Sequence, residues 1–235
     1  MEPLRLTWTL AAPMVASPHP LHLDGLLAYA QTEETLAGIS IAERDARTLR
    51  EVATAPLPLG REERDGLWCW QASVLRPRDG VLGQSMRYWT RKTDPEDYAR
   101  RIASGQIEAR INVPLKPYER IIDMQRGTLK QLYKFFPIRD VPTVEAWCIG
   151  DKDRIEELLA PDSGYVTHLG GKARMGFGKV RSFTIERDQE ALSQWQRRAM
   201  PWPQAGAALT ELAVRPPYWA AESRQMAWID PELLT

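Results

Sequence analysis

A chain of 235 residues is long enough for one large domain, or one domain with an appendage, around a substantial core. With 43% hydrophobic and 26% charged residues, its composition is that of a globular protein and excludes a disordered or fibrous chain. Balanced counts of 31 basic and 31 acidic side chains exclude a uniformly basic nucleic-acid coat, so any anion-binding role must rest on how charge is segregated along the chain.

Leu4, Leu6, Trp8 and Leu10 alternate with Arg5, Thr7 and Thr9, which predicts a half-buried first strand. Pro13, Pro18 and Pro20 interrupt the chain, and Leu23, Leu26, Leu27 and Ala30 then recur at helical spacing. Residues 40–66 are charged and proline-bearing with weak periodicity, and read as a helical or irregular connection. Residues 67–75 predict a strand with Trp68, Trp70, Ala72 and Val74 on one face. The two indoles serve either core packing or, if exposed, base stacking. Ser85 to Lys92 mix cations with aromatics in a strand-like run. Asp94 and Pro95 then supply a cap and first position for a short helix that Gly105 ends. Residues 107–113 are a further strand candidate, and 127–134 carry Lys130, Tyr133 and Lys134. Residues 144–149 predict a strand, Asp151 or Asp153 a helix start, and Pro161 to Gly164 its end. Residues 188–235, rich in Pro, Trp and Ala, read as an extension in which Arg215 to Trp219 packs back on the body.

The most informative stretch is residues 168–181, with four glycines, four cations and no acid. Glycine lets another backbone come close, and exposed amides flanked by Lys and Arg make a seat for phosphates. A Walker A loop is excluded because Phe177 follows Gly176 where a lysine is required. A dinucleotide fingerprint is excluded because Arg181 stands at the third glycine position and a strand follows. Charge elsewhere is segregated in the same sense. Residues 84–134 hold 11 basic and 6 acidic side chains, net +5, whereas the flanking segments are net acidic. Arg87, Arg91, Lys92, Lys130 and Lys134, lying beside aromatics, have the make-up of a single-stranded nucleic-acid groove. A solvated amphipathic surface is the alternative for both stretches.

The run Leu169-Gly170-Gly171-Lys172-Ala173-Arg174-Met175-Gly176-Phe177-Gly178-Lys179-Val180 resembles the glycine-rich loop of the RAMP superfamily of CRISPR proteins. The segment from Val144 to Asp151, followed by Ile155 to Leu159, also resembles these proteins, and the similarity is greatest to the Csf-type subunits of type IV CRISPR complexes. The resemblance implies an α+β, ferredoxin-like (RRM-like) domain over residues 1–187, with a thumb or hairpin inserted at 84–137 and an extension at 188–235. It implies an RNA-binding subunit that holds the 5′ handle of a guide RNA and caps the repeating backbone subunit, with a large subunit as partner and target DNA nearby. The loop residues Gly170, Gly171, Lys172, Arg174, Met175, Gly176, Phe177, Gly178 and Lys179 would then grip RNA, joined by His22 and the basic middle segment. In these proteins the strand, loop and helix at the amino terminus open the fold, and residues 20–25 look like that connection.

Catalytic chemistry is hard to find in the chain. Ser, His and Asp are scattered without an elbow motif, no CxxC pair exists, and the three histidines are His19, His22 and His168. The expectation is therefore a non-enzyme with no metal and no cofactor. The alternative is a guide-processing endoribonuclease using His22, Tyr29 and Lys172 as relatives use His or Tyr with Lys. A third reading is a scaffold whose loop caps a partner subunit without touching RNA. Cys69 and Cys148 each stand beside Trp in an apolar run and read as buried thiols. No segment is apolar enough for a membrane span or signal peptide, so a cytoplasmic protein is expected.

Overall fold

The computed structural model describes residues 1–16, 19–40, 44–92, 94–106 and 130–234. The chain divides into two units, Met1–Gln84 with Ile138–Thr235, and Ser85–Pro137. In chain order the elements are β1 (Glu2–Leu10), β2 (Met14–Val15), α1 (Leu23–Thr35), α2 (Ala46–Ala53), β3 (Arg61–Arg64), β4 (Leu67–Trp70), β5 (Arg76–Pro77) and β6 (Gly83–Arg91). There follow α3 (Pro95–Ala103), β7 (Leu132–Asp140), β8 (Thr143–Gly150), α4 (Lys152–Leu159), β9 (Val180–Arg187), α5 (Ala191–Gln194), β10 (Ala208–Ala213) and β11 (Arg224–Ile229).

The larger unit is built on a four-stranded sheet in the order β5-β8-β1-β9, each neighbour antiparallel. Its middle strand β1 turns Leu4, Leu6, Trp8 and Leu10 inward, as the alternation predicts, and these residues are 0–7% exposed. Leu23, Leu26, Leu27 and Ala30 of α1 and Ile155, Leu158 and Leu159 of α4 cover that face and complete one continuous core. Helices on one face of an antiparallel sheet make this an α+β protein. Asp151 caps α4, its carboxylate accepting from the Arg154 amide at 3.3 Å. Among the described residues no helix is long and apolar enough to cross a membrane.

The strand expected over residues 67–75 is broken in two. β4 pairs with β3 only as far as Trp70, after which the chain leaves that hairpin and runs along β8 through an Ala72–Cys148 bridge to β5. Arg198 explains the break. Its guanidinium occupies the bend, donating through Nη1 to the Trp70 carbonyl at 2.8 Å and the Ala72 carbonyl at 2.9 Å.

The segment after β9 belongs to this same unit. The β10–β11 hairpin is a separate two-stranded sheet. The chain between its strands brings Tyr218 to α1, where its hydroxyl donates to Asp24 Oδ1 at 2.7 Å.

The smaller unit holds most of β6, α3 and most of β7. Asp94 caps α3 by accepting from the Glu96 and Asp97 amides, with Pro95 at the first helical position. The strand expected over 107–113 and the start of the 127–134 segment lie outside the described residues.

Candidate nucleic-acid interface

The glycine loop joins α4 to β9 and is held at its base by backbone bonds. The Leu169 amide donates to the Gly178 carbonyl at 2.8 Å, and the Gly178 amide donates to the Pro13 carbonyl at 2.8 Å. The Ala11 amide donates to the Lys179 carbonyl at 2.7 Å, and isolated bridges join His168 to Lys179 and Val15 to Gly171. Leu169 is fully buried in the core, so the loop springs from a fixed root beside the end of β1.

Above that root the chain makes a short 3-10 turn over Ala173–Met175, closed by the Met175 amide on the Lys172 carbonyl and the Gly176 amide on the Ala173 carbonyl. Gly170, Lys172, Gly176 and Gly178 all have positive φ, between 63° and 83°. For Lys172 this is an uncommon conformation for a residue that carries a side chain. At Gly178 the requirement is steric as well, because a Cβ would lie 1.9 Å from the Leu169 carbonyl oxygen. Gly176 carries no such steric requirement. A Cβ there meets nothing within 4 Å, and only its φ of +83° favours glycine.

Lys172, Arg174 and Lys179 are exposed on this loop, Met175 is 42% exposed, and Phe177 is half-buried. Among the described residues Arg174 and Lys179 have no acid partner. The loop is therefore a firmly rooted projection that exposes three cations.

His22 lies elsewhere. It is 6% exposed at the start of α1, stacked on Tyr218 at 4.6 Å between centroids. Its Nδ1 is buried without a hydrogen-bond partner. Burial, and then the charge of Arg198, hold its pKa well below the ordinary value, so the ring is neutral. Tyr29 is 51% exposed. The described contacts do not bring His22 to the loop.

In the smaller unit, strand alternation places Met86 and Tyr88 of β6 and Tyr133 and Phe135 of β7 on one face. Tyr88 and Tyr133 approach to 6.1 Å, and Tyr133 meets Phe135 edge-on at 4.9 Å. All four side chains are more than half exposed. The same alternation puts Arg87, Trp89, Arg91 and Lys134 on the other face. Arg91 donates through Nε and Nη2 to the Lys130 carbonyl at 3.0 and 2.7 Å, which ties Lys130 to the same ribbon. Arg87, Lys92, Lys130 and Lys134 are exposed.

Both cysteines are buried and free. Burial pushes the Cys69 thiol up to about 11 and raises that of Cys148 further, so neither is a nucleophile. Among the described residues no three His, Cys, Asp or Glu side chains gather in a group that could hold a metal ion.

What sequence reasoning missed is the buried Arg198–Asp24 pair and the Trp68–Arg215 pocket discussed below. Their members are more than 100 residues apart in the chain, and no local pattern connects them.

The structure is thus an antiparallel α+β body that presents a cationic glycine loop beside its central strand. A family model for the CRISPR type IV associated protein Csf3 matches residues 2–230, and the chain belongs to that family. The expected kinship with Csf-type subunits of type IV systems is thereby borne out. No curated protein matches the chain.

Proposed function

We propose that this protein is a non-catalytic RNA-binding subunit of a type IV CRISPR ribonucleoprotein. In this reading it holds the 5′ handle of the guide RNA and caps the filament of the repeating backbone subunit. The large subunit and, nearby, target DNA complete the assembly in the cytoplasm. The observation that carries the reading is the loop itself, with Lys172, Arg174 and Lys179 exposed on a fixed root. Exposed cations beside backbone that glycine keeps open attract phosphate oxygens. The order β5-β8-β1-β9, with α1 after β1 and α4 after β8, supports a ferredoxin-like RAMP domain. The ribbon of the smaller unit adds Arg87, Arg91, Lys92, Lys130 and Lys134 to the RNA path in this reading.

A buried, neutral His22 speaks for binding without cleavage, since a general base must reach a 2′-hydroxyl. Purified protein is expected to bind repeat RNA and leave it intact with or without magnesium. The deciding experiment measures affinity for that RNA against salt in the wild type and in the Lys172→Ala, Arg174→Ala double variant. Each lost phosphate contact flattens the dependence of log affinity on log salt by about 0.7 for a single strand. An unchanged slope in the double variant refutes the phosphate-holding loop. Cleavage at a defined position refutes the non-catalytic reading.

A further inference from the structure

The larger unit carries a second cationic feature, at the other end of its sheet. The glycine loop adjoins the Leu10 end of β1, where Leu10 pairs with Val180. At the opposite end Pro3 pairs with Ile149, whose carbonyl accepts from the Gly60 amide just before β3. The β3–β4 hairpin and its tryptophans are rooted there. The length of β1 separates the two ends, about 27 Å at 3.4 Å per residue.

Here a pocket of about 320 Å³ is lined by Arg50, Trp68, Trp70, Arg215, Pro216 and Glu222, among others. Its walls are flat groups. Trp68 and Trp70 meet edge to face at 5.2 Å, and the guanidiniums of Arg61 and Arg215 each lie 4.3 Å from the Trp68 ring centroid. The charges around it are unevenly satisfied. Arg61 pairs with Glu63 at 2.6 Å and Arg50 with Glu222 at 3.1 Å. Arg215 has no acid partner among the described residues, and its Nη1 reaches only the Trp68 carbonyl at 3.5 Å. Burial, and then the nearby charge of Arg61, lower its pKa, so its cation is held against both. A half-buried guanidinium in that position gains from any anion that enters.

We propose that this pocket is a second RNA site, which takes one unstacked nucleotide with its phosphate on Arg215 and its base against the tryptophan and proline walls. The proposal rests on the RNA reading above and places this nucleotide several residues along the strand from those held by the glycine loop. Flat indole, proline and guanidinium surfaces match the face of a base, and such stacking tolerates any sequence. Glu222 favours a nucleotide over an acidic peptide. Its Oε1 pairs with Arg50, and its carboxylate still offers an acceptor to the amino edge of a base, a donor that an acidic side chain lacks.

Two measurements on the full chain test this. The first crosslinks wild-type protein to single-stranded RNA carrying 4-thiouridine at alternate positions and maps the attached peptides. Crosslinks at Trp68, Trp70 or residues 215–219, in addition to residues 168–181, are expected. Crosslinks confined to residues 168–181 overturn the proposal. The second measures RNA affinity of Arg215→Gln, which should fall roughly tenfold with a salt slope reduced by about 0.7. Unchanged affinity and slope in Arg215→Gln, with both reduced in the Lys172→Ala, Arg174→Ala variant, overturn the second site and leave the loop reading standing. A wild-type protein that binds no RNA sinks both. Normal RNA binding by Arg215→Gln with loss of capture of a purified type IV partner subunit assigns the pocket to an acidic protein surface and overturns the proposal. Should Arg215→Gln unfold, the wild-type crosslinks decide.

Discussion

Arg198 is fully buried, and every one of its nitrogens has an acceptor or a hydroxyl in reach. Besides the Trp70 and Ala72 carbonyls, it donates to the Ala199 and Val214 carbonyls and to Asp24 Oδ2 at 3.0 Å, with the Tyr218 hydroxyl 3.1 Å away. Burial opposes its charge, but Asp24, together with Tyr218 and Cys69, more than compensates and the pKa ends above its ordinary value. Burial, with Asp24 next in effect, raises Tyr218 well above the usual phenol range. The group ties α1, the bend after β4 and the segment after β10 into one body. Arg198→Ala leaves Asp24 buried without its counter-charge, which typically costs about 3–5 kcal/mol. A drop in Tm of roughly 6–20 °C is expected at this chain length. His22, stacked beside this group, gives it an acid limit. The folded protein binds the His22 proton less readily than the unfolded chain does. Stability is therefore complete above about pH 6.5 and falls below it, by up to about 1.4 kcal/mol per pH unit. Urea midpoints at pH 8, 6 and 5 should show this decline, and His22→Phe, which keeps an aromatic ring against Tyr218, should flatten it. A wild-type midpoint independent of pH in that window would show that His22 protonates as freely folded as unfolded.

At the scale of elements, the glycine loop separates two demands that sequence alone merges. Gly178 needs both its φ of +67° and the space beside the Leu169 carbonyl, whereas Gly176 needs only its φ. Gly178→Ala should cost about 2–4 kcal/mol, combining left-handed strain with loss of the bonds to Leu169 and Pro13. Gly176→Ala should cost about 1 kcal/mol, and Gly176→Asn less, since Asn visits that region readily. Equal losses of Tm for Gly176→Ala and Gly178→Ala would refute the anchored root. Residue patterns revealed β1, α1, α3 with its Asp94 cap, β8 and a helix start at Asp151 or Asp153, because each is written in local spacing. They also revealed the loop, because four glycines among four cations is itself a local signal. They did not reveal that β4 stops at Trp70. The alternation of Trp68, Trp70, Ala72 and Val74 runs on through a bend made by Arg198, a residue 128 positions away from Trp70. The sequence placed Arg215 in a segment packing back on the body but not in the tryptophan pocket, because Trp68 lies 147 positions away.

At the scale of the whole molecule, the chain leaves the larger unit after Gln84 and returns to it at Ile138. Within the larger unit the Leu82 amide donates to the Asp140 carbonyl at 2.9 Å, so the two ends of its chain already stand side by side. The core of that unit is drawn from β1, α1, β8, α4 and β9 with neighbouring segments, and among the described residues it contains none of 85–137. Replacing residues 85–137 with a short Asn-Gly turn therefore closes a hairpin that the flanking chain already forms. The shortened protein is expected to unfold in one cooperative transition, within a few degrees of the full chain's main transition. It removes Arg87, Arg91, Lys92, Lys130 and Lys134 while keeping Lys172, Arg174 and Lys179. If the ribbon shares the RNA path, the shortened protein binds repeat RNA with a salt slope lower by about 0.7 for each phosphate the ribbon held. Reintroducing Lys172→Ala and Arg174→Ala into it should then remove most of the remaining salt dependence. An unchanged slope after the excision would confine the RNA to the larger unit, and a protein that fails to fold would show that the core depends on the inserted chain.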